Sequence, residues 1–311
     1  MAMVDVTLLG TAAALPIPDR PLTAAALTCG GRTILFDCGE GTQVAARRAR
    51  VSLVKIDLIA LTHYHGDHIF GIPGLLQSMA LMRREAPLYL TGPGDAAASL
   101  APLLRLVGHL PYPVYVLTLP EEGVGLSSVG FPKRARLTPI PTAHNVTSRG
   151  YLFELSRAGR FDPVRAEALG VPRRMWRRLQ DGETVEADGR SVTPNEVTGP
   201  PRRGIRVVFS GDTAPCAALE NAACGADLLI HEATFPDEPD HAFMAAQYGH
   251  TTLTAAASLA ARTGARRVWL AHFSQSIRDP AEYEPSLRAI CPPVRCGEPG
   301  MTAALDFDKD A

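Results

Sequence analysis

One short segment of this 311-residue chain concentrates side chains that bind metal ions. Residues 62–68 read Thr-His-Tyr-His-Gly-Asp-His, so His63, His65, Asp67 and His68 fall within six positions, directly after a strand-like apolar run. Imidazole nitrogens and carboxylate oxygens are the donors that a divalent cation such as Zn²⁺ accepts. A solvated turn with a helix cap is the alternative, but it does not account for so dense a cluster. The segment therefore predicts a metal site.

Three further groups of the same kind follow predicted strands, namely His144, Asp212 and His272. Each of them alone is typical of a hydrogen-bonding or capping residue at a strand end. Together with the first cluster they make seven potential ligands. That number suits two metal ions that share a carboxylate, which is the usual arrangement for polarising a phosphoryl group.

The elements that must position these residues alternate along the chain. Short apolar or β-branched runs punctuated by glycine predict strands in both halves, and alanine- and leucine-rich stretches with helical spacing lie between them. This pattern predicts a mixed α/β fold. The predicted helices cover residues 42–50, 68–84, 94–107, 215–224, 251–263 and 280–290.

The length of the chain allows either two domains or one elaborated domain. We interpret residues 1–311 as a single domain from which residues 157–203 depart as an inserted arm. The arm is rich in charge, proline and glycine and has no long apolar period. It contains one basic, helix-like tract at residues 171–180.

Charge and cysteine content exclude several classes of protein. With 31 basic and 32 acidic side chains, the net charge of -1 excludes a globally basic nucleic-acid binder but leaves room for a local basic patch. No signal-like N-terminus and no uncharged apolar stretch of about 18 residues occurs, so we expect neither secretion nor membrane spanning.

The six dispersed cysteines are typical of reduced thiols in the cytoplasm. Cys291 and Cys296 as a zinc pair is the alternative, although further soft ligands with typical spacing are missing.

The order His-x-His-x-Asp-His, then histidine, aspartate and histidine, resembles the metallo-β-lactamase superfamily. Narrower motifs are similar to those of the ribonuclease Z family, the tRNA 3′-processing endonucleases. These motifs are Phe-Asp-Cys-Gly-Glu-Gly-Thr-Gln at 36–43, His-Glu-Ala-Thr-Phe at 231–235, Gly-His-Thr at 249–251 and Ala-His-Phe-Ser at 271–274.

The resemblance implies an αββα sandwich, in which two mixed β-sheets face each other, helices cover the outer faces and the ligands lie on loops along one edge. It also implies two zinc ions per chain, with Mn²⁺ as a substitute. One ion would be held by His63, His65 and His144 and the other by Asp67, His68 and His272, with Asp212 bridging both.

The resemblance assigns catalytic roles to three residues. Asp67 would abstract the proton of the attacking water. Because a hydroxide held between two cations needs no strong base, orientation of that water is the alternative role for Asp67. His250, kept cationic by Glu232, would protonate the leaving oxygen; the alternative is that His250 packs under a helix and Glu232 caps a turn.

Several other residues have two open roles. Asp37 and Glu40 either orient the histidine ligands or form turns beside Gly39 and Gly41. Ser148 and Tyr151 either bind the scissile phosphate through their hydroxyls or are structural.

The resemblance further implies the reaction. A zinc-dependent endoribonuclease of this family cuts precursor tRNA after the discriminator base and leaves a 3′-hydroxyl on the tRNA and a 5′-phosphate on the trailer. The family forms homodimers in which one subunit's arm clamps RNA bound to the other. The alternatives are a generic dinuclear-metal phosphodiesterase or small-ester hydrolase, and a metal-containing scaffold that binds RNA without cutting it.

The chain departs from the family pattern at three places. Asn145 stands where arginine is usual, Gln275 follows Ser274 in place of Arg-Tyr, and the arm lacks a Gly-Pro pair. The arm instead carries Trp176 and four nearby cations, Arg173, Arg174, Arg177 and Arg178. These favour an RNA contact through phosphates and a stacked ring. A solvated charged helix with Trp176 buried is the alternative.

Overall fold

A computed structural model describes residues 3–308 and contains two seven-stranded sheets. The strands of the first sheet are β1 (Val4–Gly10), β2 (Ala24–Cys29), β3 (Arg32–Phe36), β4 (Ile56–Ala60), β5 (Leu88–Thr91), β6 (Val114–Leu117) and β16 (Thr302–Leu305). Their spatial order is β16-β1-β2-β3-β4-β5-β6. The pairs from β16 to β3 are antiparallel and those from β3 to β6 are parallel.

The second sheet repeats this mixed pattern. Its strands are β7 (Val124–Gly125), β8 (Ala135–Pro141), β9 (Arg149–Arg157), β12 (Arg202–Phe209), β13 (Leu228–Glu232), β14 (Val268–Ala271) and β15 (Val294–Cys296). Their spatial order is β15-β14-β13-β12-β9-β8-β7. The pairs from β7 to β12 are antiparallel and those from β12 to β15 are parallel.

Three apolar layers hold the sheets and helices together. The middle layer joins the two sheets, and there the ring of Phe36 stacks on Phe209 at a centroid distance of 5.3 Å. On the outer face of the first sheet pack α1 (Thr42–Arg48), α3 (Ile72–Leu81) and α4 (Ala96–Val107). On that of the second sheet pack α7 (Ala217–Ala223), α9 (Leu253–Thr263) and α10 (Glu284–Ile290). The predicted αββα sandwich is thereby confirmed.

Most predicted elements lie within a few residues of the observed ones, but the predicted helix at 68–84 is two helices. A short helix, α2 (Gly66–Ile69), ends before α3 begins at Ile72. The helix breaks there because the amide of Gly71 donates to the carbonyl of Cys38 at 2.9 Å instead of to a carbonyl of α2. Gly71 also packs on the backbone of Gly39, where a Cβ on Gly71 would lie 1.9 Å from the Gly39 carbonyl oxygen. The helix α8 (Pro239–Tyr248) and the strands β15 and β16 were not predicted.

The arm between β9 and β12 is an ordered unit with its own small apolar core. It contains α5 (Pro163–Ala168), α6 (Arg173–Gln180) and the hairpin of β10 (Val185–Ala187) and β11 (Arg190–Val192). Ala166, Val171, Leu179, Val192 and Val197 are buried among themselves, in a cluster separate from the sheet cores. The sequence predicted the departure of this segment and its basic helix, but not its core.

Among residues 3–308, no helix is long and apolar enough to cross a membrane.

Candidate metal centre

The residues of the candidate metal centre lie on loops that leave the ends of four strands. The histidine-rich segment follows β4 of the first sheet, whereas His144, Asp212 and His272 follow β8, β12 and β14 of the second. The two sheets face each other, so their loops meet at one edge of the sandwich. The structure thus brings together all seven side chains that the sequence predicted as ligands.

Close backbone contacts fix the histidine-rich loop to the segment at 36–43. The amide of Cys38 donates to the carbonyl of His68 at 2.8 Å, and the amide of Gly71 donates to the carbonyl of Cys38 at 2.9 Å. Between these bonds a Cβ on Gly39 would lie 1.9 Å from the Asp67 oxygen. Only glycine allows this approach, which explains physically why that motif accompanies the histidine cluster.

Three imidazole nitrogens converge at one side of the centre. Nδ1 of His65 lies 3.0 Å from Nε2 of His63 and 3.4 Å from Nε2 of His144. Tetrahedral ligands at a Zn–N distance of 2.0–2.1 Å are about 3.3 Å apart, so this spacing fits a common zinc ion. The second ring nitrogens of His144 and His63 are occupied, since Nδ1 of His144 donates to the carbonyl of Gly249 at 2.9 Å and Nδ1 of His63 lies 3.0 Å from the Thr62 hydroxyl.

A second group lies beside the first. Oδ2 of Asp67 is 3.4 Å from Nε2 of His68 and 3.5 Å from Nε2 of His272. Oδ2 of Asp212 lies 3.3 Å from Nε2 of His272, 3.4 Å from Nε2 of His68 and 3.7 Å from Nε2 of His63. The Asp212 carboxylate therefore reaches both groups.

Two of these nitrogens are buried without a hydrogen-bond partner. Nε2 of His68 and Nε2 of His272 have no partner although both side chains are almost fully buried. A buried polar atom without a partner is destabilising by about 1–3 kcal/mol, so two at one point indicate a missing ligand. The donor set, the spacing and these unpartnered atoms fit a pair of divalent cations.

Two threonines connect predicted histidine ligands to buried carboxylates and so help to orient the imidazole rings. The hydroxyl of Thr62 donates to Asp37 at 2.9 Å and accepts from Nδ1 of His63 at 3.0 Å. The hydroxyl of Thr234 likewise donates to Glu232 at 2.7 Å and accepts from Nδ1 of His272 at 2.9 Å. The sequence reasoning missed both residues. The available signal was a threonine one or two positions from a ligand or an acid at a strand end.

The electrostatics of the centre also suit cations. Burial lowers the pKa of His63 to about 2, which keeps its imidazole neutral and able to bind metal. Burial opposes ionisation of Asp212, but the imidazoles of His272 and His68 outweigh it and hold its pKa well below the usual range. Burial likewise opposes protonation of His68, yet Asp212 and Asp37 raise its pKa well above the usual value. The buried carboxylates of Asp37 and Asp212 are therefore stabilised by positive charge beside them, which a bound cation can supply.

An acid pair adjoins the centre. Nδ1 of His250 donates to Oε1 of Glu232 at 2.9 Å, and the His250 ring lies 5.6 Å from that of His272. Burial opposes protonation of His250, but the bond to Glu232 and its charge raise the pKa of His250 to about 9. Glu232 is buried and also accepts from the amides of Thr213 and Thr234 at 3.0 Å, so it is a fixed carboxylate.

The residues for which the sequence left two roles open differ in how close they lie to the predicted ligands. Asp37 accepts from Nδ1 of His68 at 2.8 Å and so orients a predicted ligand, whereas exposed Glu40 only lines the cleft. Tyr151 is fully buried and its hydroxyl donates to the carbonyl of Leu61 at 2.7 Å, which favours its structural role over a contact with substrate. The Ser148 hydroxyl bonds that of Thr142 at 2.6 Å.

No cysteine belongs to a group of potential metal ligands in the described part of the chain. Cys291 and Cys296, weighed as a zinc pair, are both buried in the apolar layer between the second sheet and its helices.

The four arginines of α6 are exposed, but most are already paired. Arg173 binds Glu167 at 3.1 Å, Arg177 binds Asp181 at 3.1 Å and Arg178 binds Glu183 at 2.9 Å. Arg174 has no ion-pair partner among residues 3–308. Trp176 is half-buried and its indole nitrogen donates to the carbonyl of Val171 at 3.0 Å, so part of its surface belongs to the arm's own core.

An open cleft of about 790 Å³ gives access to the centre. His65, Asp67, Asp212, His250 and His272 line its floor. A cleft of this size admits several units of a polymeric substrate rather than one small ion.

Comparison with known proteins extends these observations. Residues 24–272 match the model of the metallo-β-lactamase superfamily. A ribonuclease Z of Agathobacter rectalis is 39% identical over 99% of this chain and 100% of that protein. A ribonuclease Z of Salinibacter ruber is 41% identical over 97% of this chain and 95% of that protein. The crystal structure of the short form of human tRNase Z has a TM-score of 0.67 and 25% identity, covering 97% of this chain and 100% of that one.

Proposed function

The chain belongs to the metallo-β-lactamase superfamily and, within it, to the ribonuclease Z family, and from this premise we propose that it removes 3′ trailers from precursor tRNA. It is a metal-dependent endoribonuclease that leaves a 3′-hydroxyl on the tRNA and a 5′-phosphate on the trailer. The observation that carries this conclusion is the convergence of seven metal-binding side chains beside the His250–Glu232 pair.

The proposal assigns two zinc ions to the centre. His63, His65 and His144 would hold one, and Asp67, His68 and His272 the other, with Asp212 between them. When bound, the ions polarise the scissile phosphoryl group and activate the attacking water. Support comes from the nitrogen spacing and from the unpartnered Nε2 atoms of His68 and His272.

The chain's own residues handle the protons. Asp67 is held by the amide of Ala14, which donates to its Oδ2 at 2.8 Å. In that position Asp67 orients the attacking water and accepts its proton. His250 protonates the ribose 3′ oxygen as it leaves, since an alkoxide is a poor leaving group. Glu232 keeps His250 oriented and cationic.

The partners of the enzyme would be a second copy of the chain and the tRNA substrate. Exposed apolar residues on the helices over the first sheet, Val44, Leu81 and Leu106, support a homodimer. The arm of one subunit would then contact tRNA bound to the other through Arg173, Arg174, Arg177 and Arg178. Ser148 would contact the phosphate at the rim of the site. The tRNA substrate and the six unpaired thiols favour the cytoplasm.

Cleavage of two substrates by one preparation tests this function. We expect the purified protein to cut a 3′-labelled precursor tRNA at a single position and to hydrolyse bis(p-nitrophenyl) phosphate. An Asp212→Ala preparation, purified identically, controls for contaminating nucleases. Hydrolysis of the small diester without cleavage of tRNA would instead establish the generic phosphodiesterase.

A further inference from the structure

Phe70 is an exposed aromatic residue at the cleft of the metal centre. It directly follows α2 and lies three positions after Asp67, and 63% of its surface is exposed. Phe36, Phe153, Phe209 and Phe273 are by contrast at most 2% exposed. Singly exposed apolar residues are common on protein surfaces, but Phe70 differs from them because it lines the cleft beside the candidate metal ligands.

The Phe70 ring rests against the loop that carries the predicted ligands. A Cβ built on Gly66 would lie 2.3 Å from a carbon of this ring, so the ring lies directly against the Gly66 backbone. Gly66 is the residue between His65 and Asp67, and any other residue there would displace the ring. One side of the ring is therefore supported by the ligand-bearing loop, while the rest of it is open to the cleft.

The surroundings of Phe70 suit an unpaired base. Phe70 lines the same cleft as His65, Asp67 and His250, and the partly exposed residues Leu15 and Tyr248 line it too. Stacking of bases on aromatic rings tolerates any sequence, because every base has a π-face. An enzyme that acts on many tRNAs needs this tolerance next to its reacting phosphate.

We propose that Phe70 is a stacking platform for an unpaired nucleobase next to the scissile phosphate, and so a positioning residue for RNA. This inference rests on the proposed function, since it needs an RNA substrate. The platform positions the substrate through the base, and the phosphoryl group is left to the metal centre and His250.

Kinetics of Phe70 variants test the platform. We expect Phe70→Ala and Phe70→Leu to raise the KM for precursor tRNA about 10-fold with little change in kcat, because base stacking on an aromatic ring is lost. Phe70→Tyr and Phe70→Trp should restore the wild-type KM. Phe243→Ala is the matched control, because Phe243 is 70% exposed on α8 but does not line the cleft.

A fluorescent base gives a second measurement. With 2-aminopurine placed in turn on each side of the cut, binding to wild-type protein should quench the fluorescence at one position. Phe70→Leu should abolish that quenching, and Phe243→Ala should preserve it.

The outcomes separate the two proposals. Equal KM values for the Leu and Tyr variants, in a protein that cleaves precursor tRNA, overturn the platform and leave the proposed function intact. That comparison also decides the matter if Phe70→Ala does not fold. A wild-type protein that hydrolyses the small diester but never cleaves tRNA overturns both.

Discussion

Asp212 is the residue on which the two halves of the candidate metal centre depend, because its carboxylate lies within 3.7 Å of His63, His68 and His272. We expect Asp212→Ala to reduce bound zinc from about two ions per chain. Activity should fall more than about 100-fold, since changes to groups outside the ligand shell alone typically cost 10–100-fold. Metal analysis and diester hydrolysis measure both effects.

The circular dichroism of Asp212→Ala should stay native, because three apolar layers hold the fold. Wild-type turnover with two bound ions would contradict the bridging role of Asp212.

Replacing His250 should slow the reaction of substrates with poor leaving groups more than that of substrates with good leaving groups. We expect His250→Ala to slow cleavage of precursor tRNA about 10²–10⁴-fold, the usual contribution of a general acid. Hydrolysis of bis(p-nitrophenyl) phosphate should fall much less, because p-nitrophenolate leaves without a proton.

His109→Ala is the control for His250→Ala, since His109 is an exposed histidine that does not line the cleft. Equal losses on the two substrates would make His250 a structural residue.

Because neighbouring antiparallel strands end at opposite edges of a sheet, strand ends alone do not decide which side chains meet. Residue types and spacing, read together with the family resemblance, sufficed to predict it. They did not predict what each hydroxyl does. Tyr151 alternates into the layer between the sheets, and only the pairing of β9 decides that direction. Thr62 and Thr234 were missed because their importance lies in contacts between segments distant in sequence.

At the scale of elements, strands with continuous apolar runs were predictable and sparsely buried elements were not. α8 buries only Ala245, so no apolar period marks it. β15 and β16 are edge strands of three and four residues, too short to show alternation. The core of the arm was not predictable from the sequence, because its buried residues come from two helices and a hairpin that are each too short for a periodic pattern.

The arm's contact with tRNA should depend unequally on its arginines. Replacing Arg173, Arg174, Arg177 and Arg178 with alanine should raise the KM for precursor tRNA and flatten its salt dependence. Arg174 should account for most of the change, because carboxylates of the arm already neutralise the other three. We expect Arg174→Ala alone to lower the salt slope by about one.

Arg262→Ala is the control for the arm variants, since this exposed arginine pairs with Glu220 on the outer face of the second sheet. Unchanged KM and salt slope in the fourfold variant would exclude the arm from tRNA binding.

The arm should also unfold apart from the sandwich. Leu179 is fully buried in the arm's core, so Leu179→Ala should destabilise that unit by about 2–5 kcal/mol. Hydrogen exchange should accelerate in the arm's elements from α5 to β11 and stay unchanged in β12 and β13. Acceleration throughout the chain would show that arm and sandwich unfold as one.

At the scale of the whole molecule, the metal centre joins the two sheets. The His63–His68 segment leaves the first sheet, whereas His144, Asp212 and His272 leave the second. Bound ions stabilise the folded state only, so removing them with a chelator should lower the Tm by about 5–15 °C. Adding zinc back should restore the Tm. Calorimetry with an unchanged Tm after complete metal removal would refute this coupling.

The pairing of β1 with β16 has a consequence for synthesis of the chain. β1 is hydrogen-bonded to β2 on one side and to β16 on the other, and the amide of Met3 reaches Asp306, 303 positions later. On the ribosome, β1 therefore emerges long before β16 can cover its second edge. An exposed edge strand is a template for pairing with other chains, so nascent copies on one messenger are vulnerable to each other during this interval. Slower translation lengthens this interval, so it should raise the share of nascent chains that pair with each other through β1.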